Sequence, residues 1–207
     1  MHSIVIASGK GGSGKSMLTA HLAVESGAWI IDTDKQATLT EWHTRREAET
    51  PERLDLPLGR LAEGLGKAAA QGAQYCLIDT APAITDQNAA IVALADLVLV
   101  PARPTPADLW SVGQTVAMAK RLSRPFLFVL TQAKLNANIT AQAVAALSEH
   151  GRVARSFIAD RVAYASAMTS GHAAPELWPR GPTVAEISSL WDEVKACFHE
   201  NNIRRVA

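Results

Sequence analysis

Short apolar runs rich in β-branched residues alternate along the chain with longer stretches of helical periodicity. The apolar runs predict strands at residues 3–8, 28–32, 75–80, 96–101, 125–131 and 152–158. The helical patterns fall at residues 15–27, 85–95, 106–122, 139–151 and 183–200. Near-continuous apolar strands separated by helices are typical of a parallel sheet that is covered on both faces. The pattern therefore predicts an α/β fold, with one doubly wound, mostly parallel sheet in a single domain over residues 1–207.

Two segments depart from this regular alternation. The region 41–74 is charged and contains Pro51 and Pro57, and it predicts a helix, a weak strand at 54–59 and a second helix. The last helical pattern places its apolar residues on one face, which favours packing against the sheet over insertion into lipid. That face consists of Val184, Ile187, Leu190, Trp191, Val194 and Phe198.

Composition indicates a globular protein with a substantial core. Hydrophobic residues make up 48% of the chain and charged residues 19%, and 20 basic side chains balance 20 acidic ones. The segment from Arg103 to Arg161, however, contains eight basic and three acidic residues, which gives it a net charge of +5. It is either a local anion-binding patch or ordinary charge on helix surfaces.

Other features narrow the class further. No apolar stretch reaches the roughly 18 residues that a membrane span requires. The two cysteines, Cys76 and Cys197, have no metal-ligand spacing and form no disulfide framework. We therefore expect a soluble cytoplasmic protein.

The sequence "GKGGSGKS" from Gly9 to Ser16 fits the phosphate-binding pattern G-x-x-x-x-G-K-[ST]. It lies between a predicted strand and a predicted helix, as such a loop requires. Backbone N–H groups of the loop would bind phosphates at the helix N-terminus, where the helix dipole favours anions. The expected ATP-binding residues are Gly9, Lys10, Gly11, Gly12, Ser13, Gly14, Lys15, Ser16 and Met17.

Carboxylates at the ends of neighbouring predicted strands complete a nucleotide site. Asp79 follows the apolar run "CLI" and, together with Ser16, is predicted to hold Mg²⁺. Asp32 and Asp34 end the second predicted strand. Because ligands of open α/β sheets bind outside the carboxyl ends of the strands, one of this pair could orient the attacking water.

The motifs "KGGSGKS", "DTDKQATLTEW" and "LIDTAP" resemble those of the deviant Walker A ATPases, the family that includes ParA and MinD. This family has an extra lysine at the start of the loop, and Lys10 stands at that place. The resemblance implies that Lys10 crosses a dimer interface and contacts the ATP of the partner subunit. ATP would then hold two subunits together, and hydrolysis would release them.

The resemblance covers most of the chain. "VPARPTPADLW" is similar to the proline-rich segment of ParA proteins, and "SFIADRVAYASAMTSG" to a later family segment. "FLFVLTQAK" is similar to the strand that approaches adenine, which implies that Thr131 and Gln132 lie near the base. In length the chain is similar to the short plasmid-partition ATPases such as ParF. Asp108, within the proline-rich segment, either caps a helix that begins near Leu109 or contacts a partner.

The roles implied for single residues follow from these matches. Lys15 and the loop bind phosphates, Ser16 and Asp79 organise Mg²⁺, and Asp34 positions the water with support from Asp32 and Gln36. Two positions depart from the family pattern. Lys35 stands where proline is usual, and Met17 stands where a second threonine is usual.

The resemblance implies a function as well as a fold. We expect a slow, partner-stimulated ATPase that forms a homodimer with ATP and binds DNA non-specifically, associating with the nucleoid. Its cargo would be a plasmid or chromosome, and its activator a ParB-like centromere-binding protein. The DNA-binding candidates are Arg152, Arg155 and Arg161.

Three other functions are compatible with the same fold. A MinD-like ATPase would be recruited to membrane, but Arg204 and Arg205 alone are too few for a basic anchor. An accessory ATPase of conjugative DNA transfer, similar to VirC proteins, fits the same motifs. A reductase of this fold would need cysteines placed to hold a cluster, and neither Cys76 nor Cys197 is so placed.

Overall fold

A computed structural model describes residues 1–134 and 137–206, with side chains described through residue 199. In these residues five parallel strands form one sheet in the order β2-β3-β1-β4-β5. This confirms the predicted α/β class and makes the sheet wholly parallel in the described part of the chain. The strands are β1 (His2–Ile6), β2 (Trp29–Asp32), β3 (Tyr75–Asp79), β4 (Leu97–Ala102) and β5 (Phe126–Leu130).

Helices connect the strands and continue after the last one. A short 3-10 turn at Leu58–Arg60 precedes the third helix. The helices are α1 (Lys15–Ser26), α2 (Thr38–Thr44), α3 (Leu61–Ala70), α4 (Asp86–Val92), α5 (Pro106–Arg121), α6 (Asn138–Ser148), α7 (Val162–Thr169), α8 (Ala174–Leu177) and α9 (Pro182–Val206). Of these, α7 and α8 were not predicted from the periodicity.

The predicted sixth strand, at residues 152–158, is wrong. The chain here makes only single bridges, from Val153 to Phe128 and from Ala159 to Ala133. The carboxylate of Glu193 on α9 accepts the backbone N–H groups of Arg155 and Ser156, at 2.9 and 2.7 Å. These donors are therefore turned towards the helix and cannot join a sheet ladder.

The weak strand predicted at 54–59 is also wrong. Only Arg53 bridges Ile30 of β2, with the N–H of Leu54 donating to the Ile30 carbonyl at 2.9 Å. Pro57 cannot donate to a ladder, and the chain turns directly into the 3-10 segment after it.

Both faces of the sheet are buried, as a parallel sheet requires. Ile4 and Ile6 of β1 point into a core formed with α1 and α9, while Val5 points into the core on the opposite face with α5 and α6. The predicted apolar face of the last helix packs into the first of these cores, where Ile187, Leu190, Trp191, Val194 and Phe198 are buried. Within the described residues, no helix combines the length and apolar character that crossing a membrane demands.

Strand order decides what surrounds the loop after β1. Because β1 lies between β3 and β4, the chain segments that follow those two strands flank the loop on either side. The register pairs Ile6 with Asp79, and Asp79 with Asp32. Carboxylates from two separate segments of sequence are thus carried to the carboxyl edge of the sheet, next to the end of β1.

Candidate nucleotide-binding site

The loop from Gly9 to Ser16 joins β1 to α1 in a conformation that depends on glycine. Gly14 has φ +88°, and a Cβ there would lie 3.6 Å from the Thr131 side chain. The Thr131 hydroxyl donates to the Ser13 carbonyl at 2.7 Å, and the Gln132 amide donates to the Gly12 carbonyl at 3.1 Å. The end of β5 therefore fixes the outer turn of the loop.

Lys15, at the first position of α1, points back beneath this loop. Its side chain is nearly buried, and its ammonium donates to the Lys10 carbonyl at 3.3 Å. Burial lowers the pKa of Lys15, while the carboxylates of Asp79 and Asp34 act in the opposite direction. The ammonium is thus held at the loop, where it can contact the phosphates of a nucleotide.

Asp79, at the end of β3, is a buried carboxylate without a hydrogen-bond donor. It is 1% exposed, and neither of its carboxylate oxygens has a hydrogen-bond partner. Burial raises the pKa of Asp79 to about 7, while the nearby Ser16 hydroxyl and the Lys15 ammonium lower it. A buried charge normally needs a partner, and a hard oxygen ligand beside a hydroxyl suits Mg²⁺.

These residues fit the metal that the loop implies. Ser16 and Asp79 would hold Mg²⁺ at the phosphates, where it would neutralise charge that develops on the transferred phosphoryl group. The described residues contain no cluster of three histidine, cysteine or carboxylate side chains that could hold a metal by itself.

Asp32 and Asp34, both half-buried, differ in how many hydrogen bonds occupy their carboxylates. Asp32 accepts the backbone N–H groups of Asp34 and Thr40, at 3.0 and 2.9 Å, and so shapes the turn after β2. Asp34 accepts the N–H of Gln36 at 3.0 Å through one oxygen. Asp34 is the member of the pair that remains available to a water, and Lys35 beside it is exposed.

A pocket of about 240 Å³ opens beside the loop. Gln132, Arg161 and Tyr164 all line it. The Arg161 guanidinium and the Tyr164 hydroxyl both contact the carboxylate of Glu186, at 2.7 Å each. The full lining is Gly14, Met17, Gln132, Ala159, Asp160, Arg161, Tyr164, Ala165 and Met168.

This pocket is large enough to accept part of a nucleotide, and it adjoins the predicted base contact Gln132. The prediction of Gln132 rested on the resemblance of "FLFVLTQAK" to the family strand that approaches adenine. Sequence reasoning missed Asp160 and Glu186, which come from a loop and from the last helix. Glu186 carries no sequence signal, because its contacts depend on how α9 packs against the segment before it, whereas Asp160 lies within the family segment "SFIADRVAYASAMTSG".

Lys10 lies on the β4 side of the loop and is bound within its own subunit. Its ammonium donates to Asp108 at 2.9 Å, and its side chain is 32% exposed. Arg103, directly after β4, donates to both oxygens of the same carboxylate, at 3.1 and 3.0 Å. Arg103 was not predicted as a site residue, although its place after the strand beside β1 was a usable signal.

The prediction that Asp108 caps a helix beginning near Leu109 is wrong. Helix α5 begins at Pro106, and Thr105 is its cap, accepting the Asp108 backbone N–H. The helix therefore starts where its helical pattern over residues 106–122 predicted, with Thr105 as cap and proline at its first position. Asp108 lies in the first turn, with its carboxylate directed at Lys10 and Arg103.

The three candidate DNA-binding arginines differ in how exposed they are. Arg152 and Arg155 are exposed in the segment after α6. Arg161 is partly buried, because its guanidinium pairs with Glu186 and lines the pocket beside the loop.

The fold and the loop together define a P-loop nucleotide-binding protein with deviant Walker A chemistry. Residues 4–174 match the model of the CobQ/CobB/MinD/ParA nucleotide binding domain, and the chain belongs to this family. The predicted family is thereby confirmed, and the chain is a ParA/MinD-type ATPase.

Two relatives carry the name "Maintenance of carboxysome distribution protein A". The protein from Halothiobacillus neapolitanus is 25% identical over 208 residues, covering 92% of this chain and 95% of the relative. The protein from Gloeobacter kilaueensis is 32% identical over 122 residues, covering 56% of each chain.

Solved structures confirm the fold. MinD from Pyrococcus horikoshii, complexed with Mg-ADP, superposes with a TM-score of 0.78 at 16% identity, covering 93% of this chain and 95% of that one. Apo McdA from Cyanothece gives a TM-score of 0.73 at 21% identity, covering 96% and 99%. A plasmid partition protein from Borrelia burgdorferi bound to AMPPNP gives 0.71 at 17% identity, covering 92% and 97%.

Proposed function

We propose that this chain is an ATP-dependent dimeric switch that positions a cargo by binding non-specifically to DNA. The observation that carries the proposal is the placement of two lysines at one loop. Lys15 lies beneath the loop, whereas Lys10 reaches its rim and is 32% exposed on its side chain. A cation at the rim can meet the phosphates of a nucleotide bound by a second copy.

Such a lysine would act as an arginine finger does when a partner supplies it. Phosphate charge that faces outwards from one subunit would be neutralised by the other subunit's cation. Dimer affinity would then depend on the γ-phosphate. Hydrolysis, with Asp34 orienting water and Asp79 and Ser16 holding Mg²⁺, would remove that charge and release the dimer.

The basic segment supplies the DNA-binding part of the proposal. Its net charge of +5 lies between residues 103 and 161, in a chain that is otherwise acidic. Arg155 is exposed there, so it can reach phosphates. Two copies side by side would double the number of such contacts, which explains why binding would require ATP.

Cargo other than DNA is the second candidate function. The two named relatives distribute carboxysomes according to their names, and one of them covers 92% of this chain. This similarity favours a cargo that is a protein assembly, with a cargo-bound activator in place of a centromere-binding protein. The switch itself would be the same.

A membrane-recruited switch fits this chain less well. The apolar face of α9 is buried in the core as far as Phe198. Within the described side chains that face is therefore committed to the fold and is not offered to lipid.

Binding to random-sequence duplex DNA tests the proposal. It is measured with ATP and with ADP, at roughly 50 and 200 mM salt, using Asp34→Ala to slow hydrolysis. We expect binding with ATP only, weaker by tenfold or more at the higher salt, because phosphate contacts release counterions. The added change Lys10→Ala should abolish binding while ATP affinity persists.

Charge variants locate the DNA surface. Arg155→Ala should weaken DNA binding several-fold. It should also reduce the slope of log K against log salt concentration by about one. Arg180→Ala removes an exposed arginine outside the basic segment and serves as the matched control. ATP binding without any DNA binding, in either nucleotide state, would refute the DNA part of the proposal.

A further inference from the structure

The carboxylate of Asp108 is shared between two cations of the same subunit. Its side chain is 2% exposed. One oxygen, Oδ2, accepts from Lys10 at 2.9 Å, from Arg103 at 3.0 Å and from the Thr105 hydroxyl at 2.6 Å. The other oxygen, Oδ1, accepts from Arg103 at 3.1 Å.

The two cations do not hold Asp108 in the same way. Arg103 is bidentate, since its Nε and one terminal nitrogen each bind a different oxygen. Lys10 makes a single contact, to an oxygen that already has two other donors. Bidentate arginine is the stronger and more directional partner of a carboxylate, and lysine behaves as a mobile point charge.

This difference determines what happens when Lys10 leaves. A buried carboxylate that loses its only cation is strongly destabilised. Asp108 would keep Arg103 on both oxygens together with the Thr105 hydroxyl, so departure of Lys10 leaves no uncompensated buried charge. Arg103 also lies against the phosphate loop, because a Cβ on Gly12 would be 3.6 Å from its Nη1 atom.

We propose that Asp108 retains Lys10 within its own subunit, and that Arg103 makes this retention reversible. Asp108 and Arg103 are then positioning residues that set the ATP concentration at which two copies associate. The proposal rests on the proposed function, in which Lys10 contacts nucleotide in a second copy. Asp108 competes with that nucleotide for the Lys10 ammonium.

Two substitutions should act in opposite directions. Asp108→Asn keeps the shape but removes the charge that retains Lys10, so dimerisation should reach half-maximum at a three- to tenfold lower ATP concentration. Arg103→Gln leaves Lys10 as the remaining cation on Asp108, so the same midpoint should rise three- to tenfold. Asp108→Glu, which restores the charge, should return the midpoint towards wild type.

Sedimentation velocity across an ATP titration measures these midpoints, in the Asp34→Ala background. Asp192→Asn is the matched control, since it removes an exposed carboxylate that is ion-paired with Lys195 at 2.8 Å. Thermal unfolding of each variant checks that it is folded. A folded Asp108→Asn variant that dimerises less readily than wild type would overturn the proposal, because Asp108 would then orient Lys10 productively.

A second readout does not depend on dimerisation. The rate at which a mild acylating reagent modifies Lys10 is measured by mass spectrometry in the nucleotide-free protein. Modification should be several-fold faster in Asp108→Asn and slower in Arg103→Gln, with Lys35 as the internal control. Failure of the wild-type protein to dimerise with ATP would refute the proposed function, whereas unchanged Lys10 labelling in both variants would refute the retention of Lys10.

Discussion

Two buried aspartates flank the phosphate loop, and they are equally buried but differ in their hydrogen-bond partners. Asp79 follows β3 and Asp108 lies beyond β4, on opposite sides of the loop after β1, and each is 1% exposed. Asp79 has no hydrogen-bond donor. Asp108 has donors on both oxygens, from Lys10, Arg103 and Thr105.

The same burial therefore has opposite consequences for protonation. Burial raises the pKa of Asp79 to about 7, because its neighbours do not compensate the lost hydration. Burial also acts to raise the pKa of Asp108, but the hydrogen bonds from Arg103, Thr105 and Lys10 outweigh it and bring the pKa to about 2. Hydrogen-bond partners decide the charge state of a buried carboxylate, and Asp79 is the one whose oxygens remain available to a metal ion.

Removing the unpartnered carboxylate should have the largest effect. Asp79→Asn should lower ATP hydrolysis by roughly 100-fold or more, because the Mg²⁺ proposed to neutralise phosphoryl charge would lose one of its two protein ligands. Phosphate release at saturating ATP measures the loss. Asp86→Asn, at the exposed start of α4, is the control and should retain wild-type turnover. Equal turnover in both variants would show that Asp79 does not serve the metal.

The nucleotide-free protein should respond to pH in a way that depends on Asp79. Its pKa rises from 3.8 in the unfolded chain to about 7 in the folded protein, so the neutral form is favoured by folding. The contribution of Asp79 to the free energy of unfolding is fully present below pH 4. It is lost as pH rises through 7, and the total loss is at most about 4 kcal/mol. Denaturant unfolding between pH 5 and 8 should therefore show falling stability in wild type and a flatter profile in Asp79→Asn. Identical slopes would contradict the pKa assigned to Asp79.

Asp108 should show the opposite dependence at lower pH. Its folded pKa of about 2 lies below the unfolded value of 3.8, so its stabilising contribution is present above pH 4 and disappears as pH falls towards 2. Asp108→Asn should cost roughly 1–3 kcal/mol of unfolding free energy at pH 7, since buried charged donors lose their acceptor. That cost should vanish near pH 2. A cost that is constant from pH 2 to 7 would indicate lost packing in place of lost charge.

The sequence predicted the Asp79 side of the site but not the Asp108 side. Ser16 belongs to a contiguous loop motif, and Asp79 ends a predicted strand of the same sheet. Local sequence patterns were therefore enough to assign both residues to one site. The Lys10–Asp108–Arg103 cluster depends on strand order, which places β4 beside β1. Residues separated by 98 positions along the chain meet there, at 2.9 Å between Lys10 and Asp108.

The fold shows the same division between local and long-range signals. The five strands and their class follow from apolar runs, which reflect burial on both faces of the sheet. The predicted strand at 152–158 failed because Glu193, far along the chain, takes the backbone donors of that segment. Periodicity describes what a segment can do, whereas a tertiary hydrogen bond decides what it does.

The smallest effect is expected from a charge that is close to the site but exposed. Lys35 directly follows Asp34, and its side chain is exposed to solvent. Water and salt screen such a charge, so Lys35→Ala should weaken ATP binding only about two- to threefold at low salt and not detectably near 0.5 M. Titration with a fluorescent ATP analogue measures this, with Lys120→Ala on the exposed face of α5 as the control. A loss of more than tenfold in ATP affinity would mean that Lys35 contacts the nucleotide directly. The Asp79 side of the site would then contain a second cation beside Lys15, and the two aspartates would differ much less in their charged surroundings.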